Sequence, residues 1–142
     1  MSNYLWKLVL LAKITPCFEN GKSGIAKNLI NGIGFGSSEY IVLRASEKIL
    51  PDFIYYFISS EKFKNLGKNN MTGSAGQQRI TKDFVTEYKI PLPPLEIQKQ
   101  IVLEIESYQK IIEEHKKQIL GLEQKIKDKI SEVWGDENAQ SI

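Results

Sequence analysis

The stretch PLPPLEIQKQIVLEIESYQKIIEEHKKQILGLEQKIKDKISEVW, residues 91–134, decides the fold of this chain. Pro91, Pro93 and Pro94 hold the backbone in a rigid, extended lead-in. Between Pro94 and Gly135 there is no further proline and no glycine except Gly121, so nothing in that interval ends a helix. We predict one helix over residues 94–134, roughly 60 Å long at a rise of about 1.5 Å per residue.

Apolar residues along this helix recur at alternating spacings of four and three, the spacing of a coiled-coil seam. The a positions from Ile105 to Val133 are all β-branched, and the pattern slips where Lys129 takes a d position. Such a stripe is also typical of a helix lying on its own domain. A globule of about 94 residues, however, has a radius of gyration of about 12 Å and is too small to cover the whole seam. We therefore predict packing on another helix through Ile101, Ile105, Tyr108, Ile112, His115, Ile119, Leu122 and Ile126.

The direction of the partner helix follows from the charges beside the seam. A parallel homodimer brings together no attractive charge pair at the flanking positions, although β-branched a positions favour that arrangement. An antiparallel homodimer centred on Ile112 facing His115 brings Glu104 to Lys125 twice. Exposed pairs of this kind contribute only about 0.2–1 kcal/mol each, so they select the arrangement without making the dimer stable. We predict the antiparallel homodimer, whose other layers pair Ile105 with Leu122, Ile119 with Tyr108, and Ile126 with Ile101.

Residues 1–93 combine short strands with short helices. Residues 9–12 are strand material, and two Asn-Gly turn signals, at 20–21 and 31–32, flank a strand candidate over 24–29, which predicts a β-meander. Pro51 is tolerated in the first turn of a helix, which Gly67 is placed to end, and Thr81 can cap one short turn. The predicted fold class is α+β. A mixed, β-rich domain over 1–93 precedes the long helix over 94–134, which forms an antiparallel coiled coil, and a flexible tail over 135–142.

The motif NGIGFG, residues 31–36, contains glycines like those of a phosphate-cradling loop. Such a loop holds phosphates because the helix that follows points its free N–H groups at them. Here the strand-forming residues YIVL follow at 40–43, and no Lys-Ser/Thr pair does. We interpret Gly34 and Gly36 as conformational, bending the backbone of a β-rich domain.

Charge is distributed unevenly along the chain. Residues 1–94 carry 12 Lys and Arg against 7 Asp and Glu, a balance of +5, whereas residues 95–134 carry 7 against 8. A basic N-terminal part indicates a polyanion partner, although solvated lysines explain a surplus of this size equally well. No apolar run approaches the roughly 18 residues of a membrane span, and the lone Cys17 suits a reducing cytosol, so we predict a cytoplasmic protein. Neither Cys17 nor the lone His115 has a partner at metal-ligand spacing, which predicts no metal site.

Several spaced motifs resemble one known family, in the same order along the chain. They are KITPCFENGK at 13–22, GFGSSE at 34–39, GSAGQQRI at 73–80, and the run IPLPPLEIQ at 90–98 that leads into Ile101 and Val102. Together they cover most of the chain and resemble the DNA-specificity subunit of type I restriction-modification systems. The Pro-Leu-Pro-Pro-Leu lead-in to a long helix is the most characteristic of them.

The resemblance implies a target-recognition domain followed by a spacer helix. In the family, a complete subunit has two such domains on two antiparallel helices. Each domain recognises one half of a split DNA site, and the helices seat two methyltransferase subunits that use S-adenosylmethionine. This chain resembles half a subunit, and an antiparallel homodimer would restore the arrangement. Family domains carry several dozen more residues before the Lys-Ile-Thr-Pro-Cys-Phe motif, so we expect the recognition domain to be N-terminally incomplete.

Two loops supply the residue types that DNA recognition needs. Arg pairs with guanine, Asn and Gln pair with adenine, and Lys and Ser hold phosphates. One loop lies over residues 74–79 and the other over 20–27, and both also suit the alternative of plain solvated loops. Arg44, which follows a predicted strand, is a candidate ion-pair partner of Glu39. The predicted DNA-binding residues are Lys13, Asn20, Lys22, Lys27, Ser74, Gln77, Gln78 and Arg79.

We predict no catalytic residue. The Asp/Asn-Pro-Pro-Tyr/Phe motif of adenine methylation is absent, since Pro93-Pro94 lies between Leu92 and Leu95. A nuclease core fails because Glu61 has no lysine two places later. The chain itself is expected to need no cofactor, and the family implies that S-adenosylmethionine, ATP and Mg belong to partner subunits. Two hypotheses remain: a half-subunit that recognises double-stranded DNA, or an assembly protein that does not recognise DNA and whose helix pairs with itself or with other restriction-modification subunits.

Overall fold

A computed structural model describes residues 7–135 of the chain. Within that range the chain divides into two compact units, and the division falls between Val102 and Leu103. The N-terminal unit holds a small sheet, three short helices and the first turns of a long helix, whose remainder forms the C-terminal unit. The predicted tail over 135–142 lies outside the described residues except for Gly135, the last residue of the long helix.

The sheet of the N-terminal unit has three antiparallel strands, β1 (Leu8–Ala12), β2 (Ser23–Ile25) and β3 (Tyr40–Arg44). Strand β1 lies in the centre, between β2 and β3. The predicted meander is therefore wrong, because a meander would place the second strand in the centre. Strand β1 is the one whose sequence, LVLLA, is apolar throughout, and the central position buries Val9 and Leu11 completely or nearly so.

Strand β2 is shorter than predicted. It ends at Ile25, and only the N–H of Ala26 continues the pairing, by donating to the carbonyl of Leu8. Asn28 then adopts a left-handed conformation with φ of 57°, which a strand cannot accommodate. A short 3₁₀ turn over Ile30–Gly32 follows and leads toward β3.

Three short helices pack beside the sheet: α1 (Pro51–Ile58), α2 (Glu61–Asn69) and α3 (Lys82–Glu87). Pro51 starts α1 as predicted, and the Thr81 hydroxyl caps α3 by accepting from the N–H of Phe84 at 3.1 Å. The prediction that Gly67 ends the helix begun at Pro51 is wrong. That segment is two helices, and Gly67 lies inside the second.

The core of the unit is aromatic. The ring of Phe63 lies 6.0 Å from that of Phe18 and 4.9 Å from that of Tyr88, both in edge-on arrangements. Val9, Leu11 and other aliphatic residues of the sheet and helices complete this cluster. A second, smaller cluster contains Leu50, Phe53 and Val102, and it packs the start of the long helix onto α1.

The long helix, α4 (Leu95–Gly135), is the predicted one, and it confirms the α+β fold class. Gln98, whose side chain is fully buried, binds the first turns of α4 to the rest of the N-terminal unit. The Gln98 amide accepts from the N–H of Leu50 at 2.9 Å and donates to the carbonyls of Lys48 and Pro93, each at 2.8 Å. The compact N-terminal unit therefore extends two turns into α4, beyond the point where the prolines end.

The C-terminal unit is the rest of α4, over residues 103–135. Its predicted seam is open to solvent in the single chain, where Ile112 is 52% exposed and Ile119 is 55% exposed. The coiled-coil pairing remains a prediction, because it needs a second helix. Among residues 7–135, no helix is both long enough and apolar enough to cross a membrane.

Candidate nucleic-acid interface

Backbone hydrogen bonds hold the end of β1 against the loop that precedes α3. The N–H of Thr15 donates to the carbonyl of Gln78, and the N–H of Ile80 donates to the carbonyl of Lys13, both at 2.9 Å. Lys13 also donates its N–H to the carbonyl of Glu39 at 2.9 Å, just before β3 begins. Lys13 therefore lies between this loop and β3, at one end of the sheet.

The loop itself is a hairpin tip closed by Thr72 and Arg79. These residues exchange both backbone hydrogen bonds, at 2.9 and 2.8 Å. Next to Thr72 the chain turns through Gly73, with φ of 118°, where a Cβ would lie 2.9 Å from the carbonyl oxygen of Gln77. Only glycine fits that position. The turn leaves Ser74 and Gln77, two of the predicted DNA-binding residues, exposed at the tip.

Arg79 is held by an ion pair with Glu39. Its Nε and Nη2 donate to the two carboxylate oxygens of Glu39 at 2.9 and 2.8 Å, and Nη1 donates to the carbonyl of Gln77 at 2.8 Å. The hydrogen bond from Arg79 lowers the pKa of the Glu39 carboxyl and, reciprocally, raises the pKa of the guanidinium. Glu39 therefore pairs with Arg79 and not with Arg44, the partner that sequence proximity suggested.

The ion pair with Glu39 limits the number of hydrogen bonds that Arg79 can donate to a ligand. A guanidinium carries five N–H donors. Three of them donate to Glu39 and Gln77, so two remain for a phosphate or a base edge as long as the ion pair with Glu39 is intact. Arg79 can thus position the loop and contact a polyanion at the same time.

Basic side chains surround a concavity at this end of the sheet. Lys13, Arg79 and Lys82 line a cavity of about 370 Å³ together with residues of β3. Lys82 is absent from the predicted set, because its only sequence signal is a position just after the capping Thr81. A larger cavity, of about 510 Å³, is lined by Asp83 and Glu87. Its carboxylates make it the poorer site for a polyanion.

The predicted DNA-binding residues of the segment 20–27 divide between the two ends of the sheet, because β2 lies within that segment. The carbonyl of Lys22 accepts from the N–H of Ala12 at 2.9 Å, which places Lys22 and the preceding Asn20 near Lys13. Lys27 follows β2, beyond the opposite end of the strand. The structure therefore gathers Lys13, Lys22 and the 74–79 loop at one end of the sheet and separates Lys27 from them.

The glycine motif at 31–36 does not carry a phosphate loop. It runs from the 3₁₀ turn into β3, and no helix follows it, so no helix N-terminus faces it. Gly32 has φ of 71°, a conformation that favours glycine, and a Cβ at Gly34 would lie 3.2 Å from Cδ2 of the neighbouring Leu29 side chain. A Cβ at Gly36 would meet no atom within 4 Å, so the structure does not support the conformational role predicted for Gly36. Phe35, between Gly34 and Gly36, is fully exposed.

Comparison with known proteins gives one consistent result. Residues 9–124 match the type I restriction modification DNA specificity domain. The chain is 44% identical over 95 residues to the type I restriction enzyme EcoEI specificity subunit of Escherichia coli, and 43% identical over 96 residues to the EcoAI specificity subunit of the same species. It is 35% identical over 86 residues to the MjaVIII specificity subunit of Methanocaldococcus jannaschii.

These similarities cover most of the chain but little of each relative. The two E. coli matches take in 66% and 67% of the chain and 16% of each relative, and the archaeal match takes in 61% and 20%. The chain thus spans about a sixth to a fifth of the length of these proteins. No solved structure is significantly similar to it.

Proposed function

The chain belongs to the type I restriction modification DNA specificity family, and on that premise we propose that it recognises a DNA sequence as a half-subunit of such a system. In this role the N-terminal unit contacts one half of a bipartite site in double-stranded DNA. Helix α4 pairs with a second copy, so that the dimer meets both halves.

The observation that supports DNA recognition best is the gathering of basic and amide side chains at one end of the sheet. Lys13, Lys22 and Lys82 provide positive charge there, and the hairpin tip presents Gln77 beside small residues. Lysines suit phosphate oxygens, and an amide on an exposed tip suits the edge of an adenine in the major groove.

The residues divide into two groups by what they can contact. Lys13, Lys22 and Lys82 hold phosphates and set the position of the domain on the duplex. Ser74, Gln77 and Gln78, on the loop held by Arg79, meet base edges. Asn20 lies beside Lys22 and joins the first group, whereas Lys27, at the other end of the sheet, is left out.

Helix α4 supplies the second part of the function. Its open seam pairs antiparallel with the seam of a second copy, with Ile112 facing His115, and the resulting dimer recognises a symmetric split site. The paired helices also seat methyltransferase subunits, and such a complex acts on DNA in the cytoplasm. In this proposal the chain performs no catalysis, and S-adenosylmethionine, ATP and Mg are held by partner subunits.

The test is selection of duplexes from a random pool, followed by titration of the selected duplex at several salt concentrations. We expect enrichment of two half-sites related by twofold symmetry, with an affinity that falls steeply as salt rises. Weak binding that is indifferent to sequence would contradict DNA recognition. It would favour the second role, assembly through the helix alone.

A further inference from the structure

We propose that the last turn of α4 in one copy, at Val133, packs on the start of α4 in the second copy, at Ile97 and the preceding Pro94. This contact would end the coiled coil and hold its register. The inference rests on the antiparallel dimer of the proposed function and adds to it a second, terminal contact surface.

The register of the antiparallel dimer leads directly to this contact. Its outermost seam layer joins Ile126 to Ile101 of the second copy, and the next layer, one step outward, joins Lys129 to Gln98. Gln98 is fully buried by its own N-terminal unit, where its amide bonds to Leu50, Lys48 and Pro93. A partner helix therefore cannot pack on Gln98.

The sequence is irregular at the matching place. Lys129 is the one d position of the seam, from Ile101 onward, where a long cationic side chain replaces an apolar or aromatic group. A lysine suits a layer that has no apolar surface opposite it, because its charged end can reach solvent. In a parallel dimer Lys129 would lie beside its own copy and have no relation to Gln98. Only the antiparallel register thus places Lys129, the lysine that interrupts the apolar pattern, opposite the buried Gln98.

Apolar surface reappears one layer further out in both chains. Val133, which is 66% exposed, comes opposite Pro94 of the second copy, with Ile97 at the flanking position. Ile97 and Val102 are five residues apart, so they point about 140° apart around the helix. Val102 is buried in its own unit, whereas Ile97 is 42% exposed and open to a partner.

A double-mutant cycle on dimer dissociation tests this contact. Val133→Ser, Ile97→Ser and the double variant are compared with the unaltered chain by sedimentation equilibrium. The contact occurs twice in the dimer, so each single change is expected to raise the dissociation constant about tenfold or more. The double variant should be little weaker than either single one, because both changes remove the same contact.

The matched control is Leu120→Ser. Leu120 is as exposed as Val133, at 64%, but it lies off the seam, so its replacement should leave dissociation unchanged. Thermal unfolding of each variant shows whether the N-terminal unit stays folded. Val133 lies at the far end of α4, so its replacement keeps the test valid even if Ile97→Ser unfolds that unit.

Cross-linking separates the two ways of failing. In a Cys17→Ser background, chains with Ile112→Cys are mixed with chains with His115→Cys. A mixed disulfide supports the antiparallel dimer, whereas a disulfide between two Ile112→Cys chains would show parallel pairing and end both proposals. If the mixed disulfide forms but Val133→Ser leaves dissociation unchanged, the terminal contact is overturned and the dimer stands.

Discussion

Gly67 shows at the scale of one residue how a local signal can mislead. Glycine near the end of an apolar helical pattern is a common stop signal. Gly67 instead lies within α2, and a Cβ there would lie 2.2 Å from Cζ and 2.6 Å from Cε1 of the Phe18 ring. Phe18 is fully buried, so the ring has no room to move aside. The glycine is present because the ring needs the space.

We predict that Gly67→Ala destabilises the N-terminal unit by about 1–3 kcal/mol, the usual cost of overpacking a core. That cost exceeds the gain of about 1 kcal/mol that alanine brings to a helix over glycine. Urea unfolding followed by circular dichroism measures the difference. Gly121→Ala is the control, since no atom lies within 4 Å of a Cβ at that position of α4, and it should leave the N-terminal unit unaffected.

The Glu39–Arg79 pair makes the stability of the N-terminal unit depend on pH. Arg79 lowers the pKa of Glu39 below its ordinary 4.5 in the folded chain. The stabilisation is therefore complete above the ordinary pKa and is lost as the pH falls through the lower, folded value. We predict that the free energy of unfolding falls less steeply between about pH 5 and pH 3 in Glu39→Gln than in the unaltered chain.

The comparison for this prediction is Glu47→Gln, which removes an exposed carboxylate from the same unit. Urea unfolding at a series of pH values gives the slopes for all three chains. Equal slopes for Glu39→Gln and the unaltered chain would mean that the ion pair does not stabilise the fold.

At the scale of elements, the junction between the N-terminal unit and α4 depends on one buried amide. Gln98 satisfies three backbone groups that belong to the segment before α1 and to the proline-rich lead-in. A buried backbone group left without a partner costs about 1–3 kcal/mol. We predict that Gln98→Ala destabilises the N-terminal unit by about 2–4 kcal/mol, since several such groups lose their partner together.

The exposed Gln100, two residues along the same helix, provides the control. Gln100→Ala should change the free energy of unfolding by less than about 0.5 kcal/mol, as is usual for surface substitutions. Equal stabilities of the two variants in urea unfolding would show that the buried amide is dispensable.

The seam of α4 gives the second prediction at this scale. Ile112→Asp should split the proposed dimer, because it would place two carboxylates in the central layers, next to His115. Leu120→Asp adds the same charge to the same helix, off the seam, and should leave the dimer intact. Light scattering at tens of micromolar measures both variants. An unaltered chain that is monomeric at that concentration would contradict the seam.

At the scale of the whole molecule, the distribution of basic residues predicts how DNA binding responds to salt. Each phosphate contact contributes about 0.9 to the slope of log affinity against log salt. We expect Lys13→Ala and Lys22→Ala each to reduce that slope by about one and to weaken binding to all sequences alike. Gln77→Ala should instead relax the preference at particular base positions.

Lys27→Ala is the internal comparison for the salt series, because Lys27 lies at the opposite end of the sheet. Its removal should leave the slope unchanged. A loss of slope with Lys27→Ala equal to that with Lys13→Ala would mean that DNA approaches the sheet from another side.

Local pattern was enough to determine several parts of this protein. The proline lead-in and the seven-residue apolar pattern predicted α4 nearly to its ends, and the Thr81 cap was predicted from its own short segment. These features depend on residues within one or two turns of each other, so the sequence contains all the interactions that decide them. Family membership was likewise recognisable from short motifs in order.

Other features of the fold depend on contacts between residues that are far apart in the sequence. The central position of β1, the packing of Phe18 on Gly67, the pairing of Arg79 with Glu39 and the burial of Gln98 each join residues about 30 to 50 positions apart. The sequence alone does not identify these contacts. Either of two arginines could pair with Glu39, and the sequence does not distinguish a glutamine that becomes buried from one that stays exposed. The sequence by itself thus determined the helix and its seam, whereas tertiary contacts decided which side chains hold the N-terminal unit together and which remain open to a ligand.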